Sequence, residues 1–279
     1  SKEGDRVLLR DNECYGVHLS NGVKVLAEKE VILSAGAIKS PQILLLSGIG
    51  PRQELQKHDI DCLVESAGVG ENLQDHIDYV SSFKSTSYKL FGLSFAGLGY
   101  MAKQIVNYMT ERKGMLSSNF AETGGFVKSH EFKSRPDVQF HFVIATVRDH
   151  ARDWRSCLSH GFSLHTCILR PKSRGRITLA NSNPRSAPHI DPQFLSHTDD
   201  QHDMLNAVKV ANKILRQSPL KQFQHTSLNN DQNLSDEQLM QKIKEYSDTV
   251  YHPIGTCKMG HVDDTNSVVD NKLRVIGCK

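Results

Sequence analysis

Alternating apolar and polar positions mark the first 35 residues of the chain. The stretches DRVLLR, YGVHLSNG and KVLAEKEVILSAG each alternate, and the pair Asn21-Gly22 separates the second from the third. Because strand side chains point to opposite faces in turn, this pattern predicts a hairpin followed by a third strand. Within the third stretch, the run EVILSAGA ends in small residues and predicts a buried strand that meets a ligand or a close-packed helix.

The pair Ser40-Pro41 predicts the start of a helix, with serine as the N-cap and proline at the first helical position. This helix is expected to end at Ser47-Gly48, where a glycine can turn the chain. A short amphipathic helix is predicted within residues 51–60, and a polar loop, VGENLQDH, follows a glycine-rich turn.

The remaining pattern predicts an α+β fold with a mixed set of sheets. Residues 83–134 have a helical and polar pattern, with AGLGYMAKQIVNYMTERKG as a helix. Three stretches then alternate as antiparallel strands do, followed by two or three helices. These strands are expected at 137–148, 161–170 and 175–180, and the helices between 199 and 248.

Composition and charge exclude several classes of protein. The 279 residues are 38% hydrophobic and 23% charged, which is typical of a globular chain. The net charge of +3 is too small to indicate nucleic-acid binding, and the longest apolar stretch is too interrupted to predict a membrane span. Six cysteines without a CxxC pair argue against a disulfide scaffold or a zinc ribbon, and leave open one Cys157–Cys167 bridge. The chain begins at Ser1 and stops after a strand-like LRVI, so we expect a fragment of a longer protein.

Two motifs in the first quarter of the chain have the composition of ligand-binding loops. GAIKSPQILLLSGIG, from Gly36 to Gly50, predicts a helix whose N-terminus can approach a polar cofactor group. The alternative is a close-packed strand–helix joint. In VGENLQDH, Asp75 and His76 could form a base with its orienting group or a metal site, or the loop could cap its own backbone. A metal is disfavoured because no second ligand pair at regular spacing accompanies these residues.

The third motif is YHPIGTCKMGH, at 251–261. Proline restrains the residue before it, so Pro253 limits the directions open to the His252 imidazole, and a catalytic base needs a defined direction. Half of a metal site, formed with Cys257, and an ordinary loop are the alternatives. Cys257 is interpreted as a small packing residue rather than a nucleophile.

Together, and in this order, the three motifs resemble the glucose–methanol–choline family of flavin-dependent oxidoreductases. Further stretches are similar to the same family, including GMLSSN with Glu122, RPDVQFHF at 135–142 and the closing VVDNKLRV. The resemblance covers essentially the whole chain and is closest to the insect, glucose dehydrogenase-like branch.

The resemblance implies FAD as cofactor and oxidation of an alcohol or sugar by hydride transfer, with His252 as the proton acceptor. It also implies an electron acceptor, which is oxygen or a quinone-like compound, and no binding of nucleic acid. By analogy with the family, it implies a secreted protein. We expect three parts along the chain. They are an α/β-type remnant of an FAD domain (1–79), a substrate domain with an antiparallel sheet flanked by helices (80–250) and a return segment (251–279). The implied cofactor-binding residues are Ala35, Gly36, Ser40, Val69, Asn72, His76, Pro253 and Thr256, with no metal ligands.

The sequence also departs from the family pattern. The strand–GxGxxG–helix that holds the FAD pyrophosphate is absent from these 279 residues, and GLGYM at 97–101 lacks its third glycine. The segment that carries the partner of His252, a second histidine or an asparagine, is also absent. We therefore expect the 279 residues to be inactive alone. The alternative is a non-catalytic relative that serves as a binding or structural protein.

Overall fold

The computed structural model describes residues 3–147, 152–231 and 233–279, apart from the side chains of Trp154 and Cys157. The chain divides into two compact units, and each unit is assembled from separate stretches of sequence. Unit 1 comprises Ser1–Asp75, Ser173–Ser196 and His252–Lys279, and unit 2 comprises His76–Lys172 and His197–Tyr251. The three-part division implied by the resemblance stays a prediction.

Unit 1 contains three small sheets and two helices within its described residues. The antiparallel sheet β1 (Gly4–Arg10), β2 (Glu13–Leu19) and β3 (Lys24–Leu26) confirms the hairpin and the first part of the third strand. Gly22, with φ +82°, allows the turn between β2 and β3. The other elements are α1 (Gly36–Leu46), β4 (Ile49–Gly50), α2 (Arg52–Gln56), β5 (Val64–Glu65), β10 (Arg176–Thr178) and β11 (His189–Asp191).

The core of unit 1 lies around α1. Buried Leu44, Leu45 and Leu46 pack with residues of β1, β4 and β5, and with Val69 and Val268 from two loops. Strands β4 and β5 pair in parallel, and β10 pairs with β11 antiparallel. The packing joins segments that are distant in the sequence, so the loops at 69 and 268 are fixed by the same core as α1.

The prediction of a buried strand at EVILSAGA is wrong for this structure. Residues 30–35 have no strand assignment, and Ile32 is 78% exposed. A strand needs a neighbour to pair with its backbone N–H and C=O groups. Among the described residues, no strand pairs with this apolar run, and it therefore stays irregular.

Unit 2 is built on an antiparallel sheet whose strand order is β12-β6-β9-β8-β7, with β13 also paired to β6. Its helices include α3 (Phe95–Glu111) and α4 (Thr198–Leu215), which confirm two predicted helices. Its strands are β6 (Ile77–Lys84), β7 (Ala121–Val127), β8 (Val138–Val143), β9 (Gly161–Ile168), β12 (Thr226–Ser227) and β13 (Asp248–Thr249). Within the described residues of unit 2, the remaining helices are α5 (Ser218–Lys221), α6 (Asp236–Tyr246) and two 3₁₀ turns, Met115–Ser117 and Trp154–Leu158.

The two faces of this sheet differ in chemistry. On one face, Phe83, Phe140 and Phe162 pack against Ala207 and Ala211 of α4 in the core of unit 2. The alternation of strand side chains places polar residues on the opposite face, among them Ser82, Ser163, His141 and His165. Unit 2 therefore has a sheet with one apolar face under a helix and one polar face.

Residues 121–127 correct the helical prediction for the stretch 83–134, because they form β7. The two glycines of AETGGFV obscure the alternation in the sequence. They also permit close pairing, since a Cβ at Gly124 would lie 2.3 Å from the carbonyl oxygen of Phe140 in β8. The α+β fold class is confirmed, with β8, β9 and β10 within the predicted strand regions. Among the helices of the described residues, none has both the length and the apolar character needed to cross a membrane.

Candidate functional site

Two of the three sequence motifs lie side by side in unit 1. Gln74 and Ile254 exchange two backbone hydrogen bonds, with N–O distances of 2.9 and 2.8 Å. The Gly70 N–H donates to the Thr256 carbonyl oxygen at 3.0 Å, and the Asn72 side-chain amide donates to the Gly255 carbonyl oxygen at 3.1 Å. Hydrogen bonds therefore join the loop VGENLQDH to residues 254–256 of the loop YHPIGTCKMGH.

Glycine is required at the point where these loops approach most closely. Gly255 has φ +98°, and a Cβ there would lie 2.3 Å from the carbonyl oxygen of Asn72. Gly70 has φ +84°, and its Cβ would lie 2.3 Å from the carbonyl oxygen of Ile177. A side chain at Gly255 would collide with the loop at 69–76, and one at Gly70 would collide with β10, because both the φ angle and the available space exclude them.

The remaining motif, GAIKSPQILLLSGIG, is joined to the loop YHPIGTCKMGH through Thr256. Helix α1 begins at Gly36, one turn earlier than predicted, so Pro41 lies inside the helix rather than at its start. A proline has no N–H to donate to the carbonyl four residues before it, which here is that of Ala37. The Thr256 hydroxyl donates to the Ala37 carbonyl oxygen at 2.5 Å. Thr256 thus satisfies the acceptor that Pro41 leaves in the first turn of α1.

His252 is exposed, and its backbone is held on both sides. Its N–H donates to the Asp75 Oδ1 at 3.0 Å, which ties the histidine to the end of the first loop. Tyr251, just before it, has φ +64°, and Pro253 follows it. The sequence suggested Asp75 as a partner for His76. The hydrogen bond between the Asp75 carboxylate and the His252 backbone could not be predicted from the sequence, since 177 positions separate the two residues.

The N-terminus of α1 is open to a ligand. Ala35 and Gly36 are exposed, and no side chain caps the helix N-terminus. Gly36 has φ +79° with no atom within 4 Å of the position a Cβ would occupy. The Ser40 hydroxyl accepts from the Ala35 N–H at 3.0 Å. Free N–H groups of a first helical turn attract anionic and polar groups, and the residues present therefore fit a polar part of a dinucleotide.

The other predicted cofactor-binding residues differ in their surroundings. The side chains of Val69 and Thr256 are buried and take part in packing and in the bond to Ala37. Asn72 and Pro253 are partly exposed. His76 belongs to unit 2, where its Nε2 donates to the Leu169 carbonyl oxygen at 3.1 Å. Contact of each of these residues with a cofactor stays a prediction.

Cys257 and Cys167 have the properties of packing residues. Burial raises the pKa of the Cys257 thiol to about 11, and this residue packs against the core of unit 1. Burial also raises the pKa of Cys167 to about 12. The sequence left open a disulfide between Cys157 and Cys167. Cys167 is a buried free thiol, and the side chain of Cys157 lies outside the described part. Within the described residues, no group of three His, Cys, Asp or Glu side chains is placed to hold a metal ion.

One polar cluster of unit 2 was missed by the sequence reasoning. The His165 Nδ1 donates to the Asp78 Oδ2 at 2.6 Å, and the His141 ring lies 6.4 Å from the His165 ring, centroid to centroid. The three side chains come from neighbouring strands β6, β9 and β8. Alternation along β8 and β9 was visible in the sequence, but strand β6 was not predicted, and neither was the register that brings the three side chains together.

The chain belongs to the GMC oxidoreductase family. The family's N-terminal model matches residues 2–78, and its C-terminal model matches residues 171–279. An alcohol dehydrogenase [acceptor] of Pseudomonas putida is 39% identical over 280 residues, covering 98% of this chain and 50% of the relative. An oxygen-dependent choline dehydrogenase of Brucella ovis is 34% identical over 277 residues, with 98% and 50% covered. The chain thus spans about half the length of the curated relatives it matches.

Solved structures have the same fold. A formate oxidase superposes with a TM-score of 0.84 at 24% identity, covering 99% of this chain and 54% of that chain. An FAD-dependent oxidoreductase from Chaetomium thermophilum superposes with a TM-score of 0.78 at 20% identity, covering 99% and 54%. At these identities, the likeness concerns the fold.

Proposed function

We propose that the protein that carries this chain is an FAD-dependent oxidoreductase that oxidises an alcohol, with His252 as the proton acceptor. One observation supports this proposal above the others. The three motifs meet in unit 1, where Thr256 bonds to the first turn of α1 and Asp75 holds the backbone of an exposed His252.

His252 has the position that a general base requires. Removal of a hydride from a carbinol carbon is easier once the oxygen has alkoxide character, and a nearby imidazole can accept the hydroxyl proton. The bond from the His252 N–H to Asp75 and the restraint from Pro253 fix the backbone that carries the imidazole. Its exposure leaves the ring accessible to a substrate hydroxyl.

The open first turn of α1 supports the cofactor assignment. Ala35, Gly36 and Ser40 would hold a polar part of FAD at the helix N-terminus, and Asn72 and Pro253 would border it. Val69 and Thr256 would support these positions from beneath, through the core and the bond to Ala37. His76 is the eighth residue of the proposed set. FAD, when bound, supplies the hydride acceptor, and the protein contributes orientation and the base.

We further propose an alcohol or sugar as the substrate, and oxygen or a quinone-like compound as the electron acceptor. The names of the two relatives support an alcohol, since one is an alcohol dehydrogenase and the other a choline dehydrogenase. A sugar rests on the resemblance of the motifs to the glucose dehydrogenase-like branch. A panel of primary alcohols, choline and glucose, tested with oxygen and with a quinone dye, distinguishes these possibilities.

The test of the proposed base is the variant His252→Ala in the protein of complete natural length. We expect kcat for alcohol oxidation to fall by about 10²–10⁴-fold. FAD content should be unchanged, because the imidazole is exposed and takes no part in the core. Stopped-flow flavin reduction under anaerobic conditions measures the step directly.

His261→Ala is the matched control, since His261 lies in the same loop and is also exposed. It should leave flavin reduction unchanged. Equal losses in the two variants would contradict the role of His252. Retention of FAD without reduction by any alcohol in the panel, in the unmodified protein, would favour the non-catalytic relative instead.

A further inference from the structure

Helix α3 of unit 2 turns its apolar side outward. Its only buried residues are Gly97 and Gln104, whereas Phe95 is 97% exposed and Met109 is 71% exposed. The exposed large apolar side chains of this helix are Phe95, Leu98, Ile105, Val106 and Met109, and we name them the α3 apolar stripe.

The α3 apolar stripe occupies one continuous side of the helix. At 100° per residue, its five members and the exposed Ala102 fall within an arc of roughly 100°. Gln104 lies on the opposite side, where its Oε1 accepts from the Met115 N–H at 3.1 Å. Gly97, also on that side, is so close to His160 that a Cβ would lie 2.6 Å from the imidazole Cε1. The side of α3 that carries Gly97 and Gln104 therefore faces unit 2, and the stripe, which a surface helix usually buries, lies on the outside.

The residues around the stripe carry an excess of positive charge. Between residues 88 and 113 the only acidic residue is Glu111, and the basic residues are Lys89, Lys103, Arg112 and Lys113. Lys103 lies beside the stripe on the helix and is exposed. Two more exposed apolar side chains, Tyr88 and Leu93, precede the helix. An apolar stripe bordered by cations is complementary to a lipid surface with anionic headgroups.

We propose that α3 lies in the plane of an anionic lipid surface, with the α3 apolar stripe inserted between the headgroups. The helix has 17 residues and does not qualify as a membrane span, so it binds along its length. The bordering lysines favour lipid over a protein partner, because lysine is depleted at protein interfaces. A lysine stem can instead lie along the apolar surface while its ammonium group reaches the phosphates.

The test is flotation of the protein of complete natural length with vesicles of phosphatidylcholine, with or without phosphatidylserine. We expect binding to the vesicles that contain phosphatidylserine. Leu98→Glu combined with Met109→Glu should weaken it by at least about tenfold, since two apolar contacts are replaced by charges of the wrong sign. Lys89→Gln and Lys103→Gln should each weaken binding by about fivefold, and only to the anionic vesicles.

Leu26→Glu is the matched control, because Leu26 is a similarly exposed apolar residue of unit 1. It should leave vesicle binding unchanged. Equal binding by the α3 double variant and the unmodified chain would overturn the proposal. So would a dimer, measured by light scattering without lipid, that the double variant dissociates, since a second copy would then cover the stripe. Thermal unfolding followed by circular dichroism confirms that the variants compared are folded.

Discussion

Cys257 shows how burial decides the role of a residue close to the proposed base. It lies five positions after His252, in a loop where the sequence allowed a metal half-site. Burial raises the pKa of its thiol to about 11, so almost none of it is thiolate at neutral pH. A metal ligand or a nucleophile needs the thiolate. The interpretation of Cys257 as a packing residue is consistent with its contacts to the core of unit 1.

This raised pKa predicts slow alkylation of Cys257 in the folded chain. At neutral pH, labelling by iodoacetamide should be roughly 100-fold slower than for a thiol with the ordinary pKa of 9.0, and should rise tenfold per pH unit toward pH 11. Mass mapping of the labelled peptide as a function of pH measures this. The same chain unfolded in urea is the control and should label at the ordinary rate. Equally rapid labelling in both states at neutral pH would show a reactive thiol.

At the same scale, the sequence identified residue types better than it identified partners. The restraint of His252 by Pro253 follows from local geometry, so it was predictable. The bonds from His252 to Asp75 and from Thr256 to Ala37 join residues more than 170 positions apart. No local pattern encodes such pairs, because they depend on how the loops pack against α1.

At the scale of the element, α1 illustrates how tertiary contacts override local signals. Ser40-Pro41 has the residue types of a helix start, yet the helix begins at Gly36. Extending a helix through a proline leaves the Ala37 carbonyl without its helical donor, which normally disfavours the extension. The hydroxyl of Thr256 supplies that donor from a loop 219 residues away, so the additional turn becomes stable.

The variant Thr256→Val tests this account. Valine has nearly the same shape but no hydroxyl, so the Ala37 carbonyl would lose its partner at a buried position. We expect the free energy of unfolding of unit 1 to fall by about 1–3 kcal/mol. Urea denaturation followed by circular dichroism measures the change.

Thr256→Ser, which keeps the hydroxyl, is the control and should lose less than the valine variant. If serine and valine variants were equally destabilised, methyl packing rather than the hydrogen bond would hold the loop to α1. Hydrogen exchange at the first turn of α1 gives an independent reading, since only the valine variant should accelerate it.

Predictability of the other elements also depended on whether their partners are local. The turn between β2 and β3 follows from Asn21-Gly22, and helix α4 follows from a 3.6-residue period; both formed as predicted. Strand β7 did not follow from its sequence, because Gly124 and Gly125 interrupt the alternation and only the pairing with β8 defines it. The strand predicted at 30–35 did not form, for the opposite reason. Its own signal is strong, but no strand of the described residues pairs with it.

At the scale of the whole molecule, the exposed run at 30–35 and the half-length coverage of the relatives point to the same cause. Val31, Ile32 and Leu33 form an apolar run directly before α1, in the order expected for a strand followed by a helix that binds a cofactor. The curated relatives are about twice as long as the region they share with this chain. We therefore expect the strands that would pair with this run, and the GxGxxG turn, to belong to the other half of such an enzyme.

We predict that the 279-residue chain alone does not retain FAD through gel filtration, whereas the protein of complete natural length does. The open first turn of α1 offers only part of the contacts that a dinucleotide needs, and the pyrophosphate-binding turn is absent from this sequence. Flavin absorbance co-eluting with protein measures retention, and a buffer blank with free FAD sets the background. Stoichiometric flavin on the 279-residue chain, together with alcohol-dependent dye reduction, would contradict the prediction. It would then follow that α1, the loop at 69–76 and the His252 loop suffice to hold the cofactor.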